Sequence, residues 1–446
     1  MITAEQLALA SGPPSPLPRE ANELLCRTGP GTPMGDTVRR YWIPALLSTE
    51  LPEPDGAPVE MRLLSEDLVA FRDTSGRVGL VQWWCPHRGT PLWMGRNEEN
   101  GLRCLYHGWK FDVEGRCVDQ MNEPEAGQFK DKINLVSYPT VEMGGVVWAY
   151  MGPPEHRPPE PKFEFTQAPE GHRHVLKVIQ RSNWLQALEG GIDPSHAPIL
   201  HGGLRTYDAG AETGRGLGAG DSIMKPKTYR MYVEPTNYGQ RFWAVGASEE
   251  ENYVMGHHFV MPWTQIRLHT RNPNLVAGHF YVPIDDDNCM VWDWEYCFSG
   301  EPLAEAEVEW LEMSSGYGAG HVDPHTFLPY HNRDDDWGLT REAQRTERFS
   351  GMPSNGDQDR AVQEGVGPIV DRSRENLGQS DMPLLGVRRR LMEALRIVAD
   401  DGAPPGANDA YYSLRAIGRA YAKDVDWRAE TAKLMHPATS LHADGG

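Results

Sequence analysis

The chain has 446 residues, and its 43 Lys and Arg against 63 Asp and Glu give a formal net charge of −20. This acidic balance argues against nucleic acid or an anionic membrane surface as the main partner, because both favour basic patches. A hydrophobic share of 39% is too high for a disordered chain, and no apolar stretch is long enough for a membrane span. The first twenty residues do not resemble a secretory signal, and six cysteines make a poor disulfide framework in so long a chain. We therefore expect a cytoplasmic protein of two or three domains.

The first part of the chain predicts a small antiparallel β domain. Short β-rich runs alternate there with Gly, Asp and Asn turns, at residues 59–64, 67–72, 78–83 and 145–150. Five prolines within residues 152–162 indicate an extended connector between domains. We therefore expect an N-terminal extension (1–40), the β domain (41–151), the linker (152–162) and a larger C-terminal domain (163–446).

The C-terminal domain is predicted to contain both strands and helices. Strand-like runs lie at residues 230–233, 253–261 and 290–298, and helical segments lie around 301–314 and 382–399. Because strands and helices come in separate runs, the pattern favours an α+β fold over a doubly wound sheet. Seven glycines within residues 202–221 indicate a mobile loop.

Two cysteines and two histidines form the most specific motif of the β domain. Cys85 and His87 lie in one loop, and Cys104 and His107 lie in a second loop after sixteen intervening residues. Two thiolates and two imidazoles suit tetrahedral zinc or a mixed-ligand iron–sulfur cluster. Because each loop offers one Cys and one His, the motif favours a Rieske [2Fe–2S] centre, where both thiolates bind one iron and both imidazoles the other. The other four cysteines show no such pattern and are expected to be structural thiols.

A polar stripe lies on one face of the helix predicted after residue 182. Its members recur in steps of three and four, at Asn183, Gln186, Glu189, Asp193 and His196. Such a stripe is usually a solvated face, but this one has no Lys or Arg and is followed by His201. The two histidines can supply two ligands to one metal, and one carboxylate would complete the facial triad of non-haem iron(II).

The carboxylate of such a triad has a local and a distant candidate. Asp193 lies three residues before His196 and can instead orient that histidine. Asp381 precedes Pro383 and an apolar helical periodicity, so it also has the sequence context of a helix N-cap. The two roles of Asp381 are compatible, since a helix start holds a side chain rigidly. Glu189 fits a solvated helix carboxylate as well as a pocket or orienting residue.

Over nearly its whole length the chain resembles the Rieske non-haem iron oxygenases, specifically oxygenase (alpha) subunits of the phthalate 4,5-dioxygenase type. The resemblance is carried by residues 22–47, by the Cys/His loops, by NWLQALEGGIDPSHAPILH (183–201) and by QDRAVQEGVGPIVDRSRENLGQSD (358–381). It implies that Cys85, His87, Cys104 and His107 hold the cluster and that His196, His201 and Asp381 hold the catalytic iron. It also implies a helix-grip C-terminal domain, in which an antiparallel sheet covers the iron pocket.

The resemblance further implies that several proteins share the reaction. Asp193 would link His196 to a Rieske histidine of a neighbouring subunit in a head-to-tail trimer or in stacked trimers, because a heterologous interface closes into a ring. Electrons would come from NADH through a separate reductase that carries flavin and an iron–sulfur domain, since this sequence shows no nucleotide-binding fingerprint. With dioxygen as co-substrate, the implied reaction is oxidation of an aromatic, carboxylated substrate by ring cis-dihydroxylation.

A carboxylated substrate requires cationic or hydrogen-bonding residues in the pocket. The candidates are Arg205 and Arg215 in the glycine-rich segment, and His257 and His258 in the run 253–262, which contains no Arg. Oxidative O-demethylation of a methoxylated aromatic acid uses the same metals, so no motif separates it from dihydroxylation. Two further hypotheses from different functional classes are a Rieske electron carrier without oxygenase activity and a zinc-binding interaction module.

Overall fold

The computed structural model of the chain describes residues 16–161, 163–202, 229–269, 272–408, 411 and 413–437. The chain forms two compact units, a β unit that spans Thr28–Glu160 and a larger unit that spans Pro161–Gly446 together with the N-terminal residues up to Arg27. The expected α+β class, with an antiparallel β domain first, is confirmed. The segment for which a mobile loop is predicted lies outside the described residues from residue 203 onwards.

The β unit contains three antiparallel sheets, with strands numbered here in chain order. The first sheet joins β1 (Trp42–Leu47), β11 (Val146–Tyr150) and β10 (Thr140–Met143). The second joins β2 (Val59–Leu63), β3 (Glu66–Arg72), β4 (Val78–Gln82) and β9 (Ser137–Tyr138). The third joins β5 (Arg96–Asn97), β6 (Leu102–Arg103), β7 (Trp109–Phe111) and β8 (Cys117–Gln120).

Two hairpins of the β unit use the same turn sequence, Asp-x-x-Gly-Arg. In residues 73–77 the Asp73 carboxylate accepts from the backbone N–H groups of Ser75 and Arg77, and in residues 112–116 the Asp112 carboxylate accepts from the corresponding two groups. The glycine of each turn has a positive φ, which glycine adopts without strain. The second turn joins β7 to β8 and thereby fixes the hairpin that follows the second Cys/His loop.

The larger unit is built on an eight-stranded antiparallel sheet. Its strand order is β12 (Arg173–Gln180), β18 (Cys289–Cys297), β17 (Leu275–Pro283), β16 (Thr264–Leu268), β15 (Glu251–Val260), β14 (Gly239–Ala247) and β13 (Arg230–Pro235), and β19 (Ile417–Ala422) pairs with β15. All nine residues of β18 are buried, so both faces of the sheet are covered at that strand.

The described helices lie mostly in the larger unit and are numbered here in chain order. They are α1 (Arg19–Cys26), α2 (Pro33–Val38, in the β unit), α3 (Glu164–Gln167), α4 (Trp184–Ile192), α5 (Ala197–Leu200), α6 (Glu305–Ser315), α7 (Arg341–Thr346), α8 (Asn355–Glu364), α9 (Met382–Ala399) and α10 (Trp427–Met435). The helices predicted around 301–314 and 382–399 correspond to α6 and α9. In the described part of the chain, no helix has the length and apolar character needed to cross a bilayer.

The predicted N-terminal extension 1–40 is divided between the two units, at Arg27 and Thr28. Residues up to Arg27 belong to the larger unit because α1 packs its buried face there. Arg372 donates to the side chain of Asn22 over 2.8 Å, and Asn183 donates to the carbonyl of Cys26 over 3.0 Å. The second boundary, between Glu160 and Pro161, falls inside the proline-rich segment for which a linker is predicted.

A buried ion-pair network around Glu189 ties α4 to the segments that follow α8. Arg372 donates to the Glu189 carboxylate from Nε over 2.8 Å, and Arg388 of α9 donates from Nε over 2.7 Å. Nη2 of Arg372 lies 2.7 Å from Oε2 of Glu189 as an ion-pair contact. Arg388 also pairs with Glu375 at 2.5 Å. Burial raises the pKa of Glu189, but the charges of Arg372 and Arg388 outweigh burial, so the pKa lies below its ordinary value. Glu189 is therefore a charged residue that joins three chain segments.

Replacement of Glu189 is expected to destabilise the larger unit strongly. Glu189→Gln leaves two buried guanidinium groups without their shared carboxylate, and loss of one partner of a buried pair costs about 3–5 kcal/mol. The free energy of unfolding would be measured by urea titration followed by tryptophan fluorescence. The exposed Glu309→Gln of α6 is the matched control, expected to lie within about 0.5 kcal/mol of wild type. Equal stability of the two variants would contradict a structural role for Glu189.

Candidate metal centres

The two Cys/His loops of the β unit form matching turns. Gly89 N–H donates to the carbonyl of Cys85 over 2.9 Å, and Gly108 N–H donates to the carbonyl of Cys104 over 3.0 Å. Both glycines have left-handed φ values, +72° and +77°, which a residue with a Cβ adopts at a cost. The turns bring the two cysteines to the edge of the unit's core, where each is 2% exposed.

The imidazoles of the two loops lie side by side. The ring centroids of His87 and His107 are 4.3 Å apart, and the ring of His87 stacks on Trp109 at 4.5 Å with an interplanar angle of 9°. Nδ1 of His87 is buried and has no hydrogen-bond partner among the described residues. A buried imidazole nitrogen is normally hydrogen-bonded or bound to a metal, so this atom fits a metal ligand.

The two thiols are in hydrogen-bond contact. This contact lowers the pKa of Cys104 to about 6 and raises the pKa of Cys85 above its ordinary value, so the pair readily yields a thiolate. Two sulfur and two nitrogen donors from two loops fit a Rieske [2Fe–2S] cluster. The structure thus pairs Cys85 with Cys104 and His87 with His107, the four residues that the sequence predicts as cluster ligands.

A second ligand set lies in the larger unit, where two histidines flank a single helical turn. His196 immediately precedes α5 and His201 immediately follows it. Leu200 N–H donates to the carbonyl of His196 over 2.8 Å, and His201 N–H donates to the carbonyl of Ala197 over 3.2 Å. This turn brings the two ring centroids to 5.1 Å, as the sequence spacing predicts.

Asp359 of α8 supplies the carboxylate beside these histidines. Its Oδ1 lies 3.5 Å from Nε2 of His196 and 3.5 Å from Nε2 of His201. The three ligand atoms lie within 4.8 Å of one another, and no other such group of three occurs in the described part of the chain. Two imidazoles and one carboxylate form the facial triad of non-haem iron(II) sites, and the donor set fits that metal.

Neighbouring side chains orient both imidazoles toward Asp359. Nδ1 of His201 hydrogen-bonds Oε1 of Gln358 over 2.7 Å, and Nδ1 of His196 lies 3.4 Å from Oδ2 of Asp193. Asp193 is itself held by the backbone N–H and hydroxyl of Ser195, at 2.7 and 2.6 Å. Each Nε2 is therefore left for a metal, since a bond at one ring nitrogen sets the tautomer and orientation of the other.

The charges around this triad are those of a site that favours a cation. Burial raises the pKa of Asp359, but the charges of His201 and His196 outweigh burial and lower the pKa to about 2. Burial opposes charge on His196, yet its contacts with Asp193 and Asp359 raise the pKa of this histidine to about 10. Two carboxylates thus converge on one imidazole, and a metal ion in place of its proton would satisfy both.

The triad forms one side of a cavity of about 220 Å³. The opposite wall is the sheet, where alternate residues of β15, β17 and β18 face the cavity because side chains alternate along a strand. The polar members of that wall include His257, Gln265, Arg267, His279, Asp293 and Glu295. Apolar and aromatic side chains complete the lining, among them Phe242, Met255, Trp310, Leu311 and Tyr317. Such a cavity, mostly apolar with a few polar groups beside a metal site, suits a small organic ligand.

Asp381 is not the carboxylate of this triad, which corrects the prediction made from sequence. Asp381 ends a short turn, Gln379–Asp381, before α9, and its carboxylate accepts from the backbone N–H of Gly378 over 2.6 Å. Asp381 therefore stands at the N-cap position of α9, as the sequence context predicts, but its carboxylate turns back into its own turn and does not cap that helix. Glu189 also lies outside the cavity lining, because Arg372 and Arg388 hold its carboxylate.

The predicted substrate residues have different outcomes. His257 lines the cavity, whereas His258 lies on the opposite face of β15, between Tyr238 at 2.8 Å and the carbonyl of Arg415 at 3.2 Å. Arg205 and Arg215 lie outside the described residues. Sequence reasoning missed Arg267, which lies on the strand that follows the run 253–262.

Asp359 was also missed, although the sequence contains a signal for it. Ser354 and Asp357 form a capping box at the start of α8, a pattern that predicts a helix. Asp359 and Gln363 then lie four residues apart on one helical face, within a run that carries the family resemblance. The histidines and this helix are some 150 residues apart in sequence, so their proximity had no local signal.

Two family models match the chain. The model described as "Rieske [2Fe-2S] domain" matches residues 41–139. The model described as "LigXa C-terminal domain like" matches residues 149–444, which is more than half of the chain.

Relatives match along nearly the whole chain. The 3-chlorobenzoate-3,4-dioxygenase oxygenase subunit of Comamonas testosteroni is 38% identical, over 92% of this chain and 96% of its own. The phthalate 4,5-dioxygenase oxygenase subunit of Pseudomonas putida is 38% identical, over 93% and 95%. The 5,5'-dehydrodivanillate O-demethylase oxygenase subunit of Sphingobium sp. (strain NBRC 103272 / SYK-6) is 31% identical, over 96% and 92%.

Among solved structures, dicamba monooxygenase bound to dicamba shares the fold with a TM-score of 0.57. The match covers 81% of this chain and 99% of that one, at 18% identity.

Loss of Asp359, rather than of Asp381, is expected to empty the second metal centre. Asp359→Ala removes one of three protein ligands, so the purified chain should hold about one metal ion fewer than wild type while the cluster spectrum persists. Metal content would be measured by plasma mass spectrometry after anaerobic dialysis. Asp381→Ala is the matched control, expected to keep its metal and to lose at most about 2 kcal/mol of stability. The opposite pattern would show that Asp381 is the ligand.

Proposed function

Because this chain belongs to the family of Rieske oxygenase subunits, we propose that it activates dioxygen to oxidise an aromatic, carboxylated substrate. The reaction we favour is ring cis-dihydroxylation. The two relatives at 38% identity are dioxygenase subunits, one for 3-chlorobenzoate and one for phthalate. Their names support both the reaction and the carboxylated class of substrate.

One observation supports this function most strongly, the presence of two distinct ligand sets in one chain. The Cys85/His87/Cys104/His107 set suits a cluster that transfers single electrons, and the His196/His201/Asp359 set lies beside a mostly apolar cavity. An electron carrier needs the first set but has no use for the second beside a ligand cavity. A zinc module needs neither the cavity nor two donor sets.

The residues around the triad have separable tasks. His196, His201 and Asp359 would hold the metal, and iron bound there would supply the chemistry of dioxygen activation. Gln358 and Asp193 fix the two imidazoles through Nδ1. The aromatic wall of Phe242, Trp310 and Tyr317 excludes water and packs against a planar ring.

We further propose that the working assembly is a head-to-tail homo-oligomer, such as a trimer or stacked trimers. The cluster loops carry exposed apolar side chains, since Trp84, Leu105 and Tyr106 are each about half exposed. Such side chains beside a redox centre suit contact with another protein surface. In this assembly Asp193 would join His196 to a Rieske histidine of a neighbouring subunit.

The electrons would come from NADH through a separate reductase with flavin and an iron–sulfur domain. The family models assigned to this chain are a cluster domain and a LigXa-like domain, and neither is a nucleotide-binding domain. A partner that accepts hydride and delivers single electrons would complete the system.

Oxidative O-demethylation is the second candidate reaction. It is favoured by the O-demethylase oxygenase subunit at 31% identity over most of both chains. Both reactions use the same two metal centres, so the product rather than the ligand set decides between them.

The proposed reaction predicts the fate of labelled oxygen in a single turnover. Chemically pre-reduced protein would be exposed to ¹⁸O₂ with 3-chlorobenzoate, phthalate and methoxylated aromatic acids, and the products analysed by mass spectrometry. Two labelled oxygens in a cis-diol are expected. Formaldehyde released from a methoxylated acid would move the assignment to O-demethylase. No oxidised product from fully iron-loaded protein would contradict the proposed function for this substrate class.

Replacement of Asp193 is expected to slow turnover without loss of metal. Asp193→Asn keeps the size of the side chain but removes the negative charge beside His196, and changes around metal ligands typically cost about 10- to 100-fold in activity. The measurements are iron content and the rate at which oxygen reoxidises the reduced cluster in the presence of substrate. The exposed Asp334→Asn is the control. Wild-type reoxidation in a fully loaded Asp193→Asn protein would exclude Asp193 from the electron path.

A further inference from the structure

Arg267 is the one Arg or Lys among the described residues that line the cavity, and it has one principal acidic partner. The guanidinium belongs to β16 and lines the cavity. Its Nη2 lies 3.1 Å from Oδ1 of Asp293 and 3.7 Å from Oε1 of Glu295. Its Nε is buried and makes no hydrogen bond to any described residue. Buried polar groups of native proteins are nearly always hydrogen-bonded, so this donor indicates a partner that enters the cavity.

A second unpartnered group lies on the neighbouring strand. His257 of β15 is 7% exposed and lines the cavity, and neither of its ring nitrogens has a hydrogen-bond partner among the described residues. Its ring stacks on Phe242 at 5.2 Å. Burial, aided by the charge of Arg267, lowers the pKa of His257 to about 4, so the imidazole is neutral near pH 7 and donates one hydrogen bond.

Acidic side chains and a histidine of the wall surround the Arg267 guanidinium. Burial raises the pKa of Asp293, but the charges of His279 and Arg267 outweigh burial and lower the pKa to about 2. Burial and the charge of Asp293 raise the pKa of Glu295 well above its ordinary value. The Arg267 guanidinium and the His279 imidazole therefore both face the Asp293 carboxylate, and Glu295 lies 3.7 Å from Arg267. A ligand that enters here meets N–H donors of Arg267 and His257 beside that carboxylate.

We propose that Arg267 anchors the substrate through a single anionic group, with His257 as a neutral second donor, and that the cavity selects aromatic monoacids over diacids. The inference deepens the proposed function by naming the charge class of the substrate, and it rests on that function only in taking the cavity as the substrate site. One carboxylate can bind the free guanidinium edge. A second carboxylate would lose its hydration with no further Arg or Lys among the described lining residues to pair with it.

The inference is tested by equilibrium binding, without turnover, to oxidised and fully iron-loaded protein. The probes are 3-chlorobenzoate, its uncharged methyl ester and phthalate, measured by calorimetry. Wild type is expected to bind the monoacid at least about tenfold more tightly than either other probe. Arg267→Gln should weaken monoacid binding by about 10- to 150-fold, the range for a hydrogen bond to a charged group, and should leave ester binding within about threefold. A merely structural effect would weaken both probes together.

Three further variants keep the test decisive. The double variant Arg267→Gln/Asp293→Asn removes both charges, so no unpaired buried charge destabilises the fold, and it should show the same loss of acid-over-ester preference. Arg267→Lys retains the positive charge and should lose less of the monoacid affinity than Arg267→Gln does. The exposed Arg419→Gln on β19, which is not among the cavity-lining residues, should match wild type.

Several results would overturn the inference. One such result is that Arg267→Gln and the double variant lose as much affinity for the ester as for the monoacid. Another is that wild type binds phthalate as tightly as the monoacid. If Arg205→Gln loses the preference for acid over ester and Arg267→Gln keeps it, the anchor lies in the glycine-rich segment instead. Failure of wild type to bind the monoacid would also reject the inference. If the monoacid binds as expected but pre-reduced protein forms no product, the proposed function fails while the anion site stands.

Discussion

The structure of the larger unit depends on bringing three metal-ligating atoms from two helical segments within 4.8 Å of one another. One turn of helix sets the separation of His196 and His201, and α8 delivers Asp359 beside both Nε2 atoms. Each imidazole must also be fixed at its other nitrogen, and Gln358 and Asp193 do this at Nδ1 of His201 and of His196. The large sheet opposite this triad then encloses the cavity beside it.

Buried charge serves two different purposes in this unit. Around Glu189, two arginines surround one carboxylate and join α4 to distant segments, so the cluster is structural. Around Arg267, the pairing with Asp293 leaves guanidinium donors available to the cavity. The difference lies in where the charges stand, since Glu189 and its two arginines are not among the cavity-lining residues, whereas Arg267 and Asp293 both line the cavity.

Local features of the site were predictable from sequence and long-range ones were not. The ligands in each cluster loop, and the pair His196 and His201, are only a few residues apart in sequence. Within a turn or a helix, such a spacing determines how far apart the side chains lie. Asp359 could not be predicted as a metal ligand without knowing that α8 lies near α5. Asp381 was preferred as the ligand because the start of its helix is recognisable from the local sequence. Glu189 was misjudged because its partner arginines lie 183 and 199 residues further along the chain. Arg267 was missed because the adjacency of β15 and β16 in the sheet had no sequence signal.

The central claim is that this chain holds two metal centres, one at the Cys/His loops and one at His196, His201 and Asp359. Anomalous diffraction at the iron K edge, from crystals of the purified protein, tests it most directly. The account predicts one peak between Cys85, His87, Cys104 and His107, and a second peak within bonding distance of the three triad atoms. A second peak beside Asp381, or a fully loaded protein with no peak at Asp359, would contradict it.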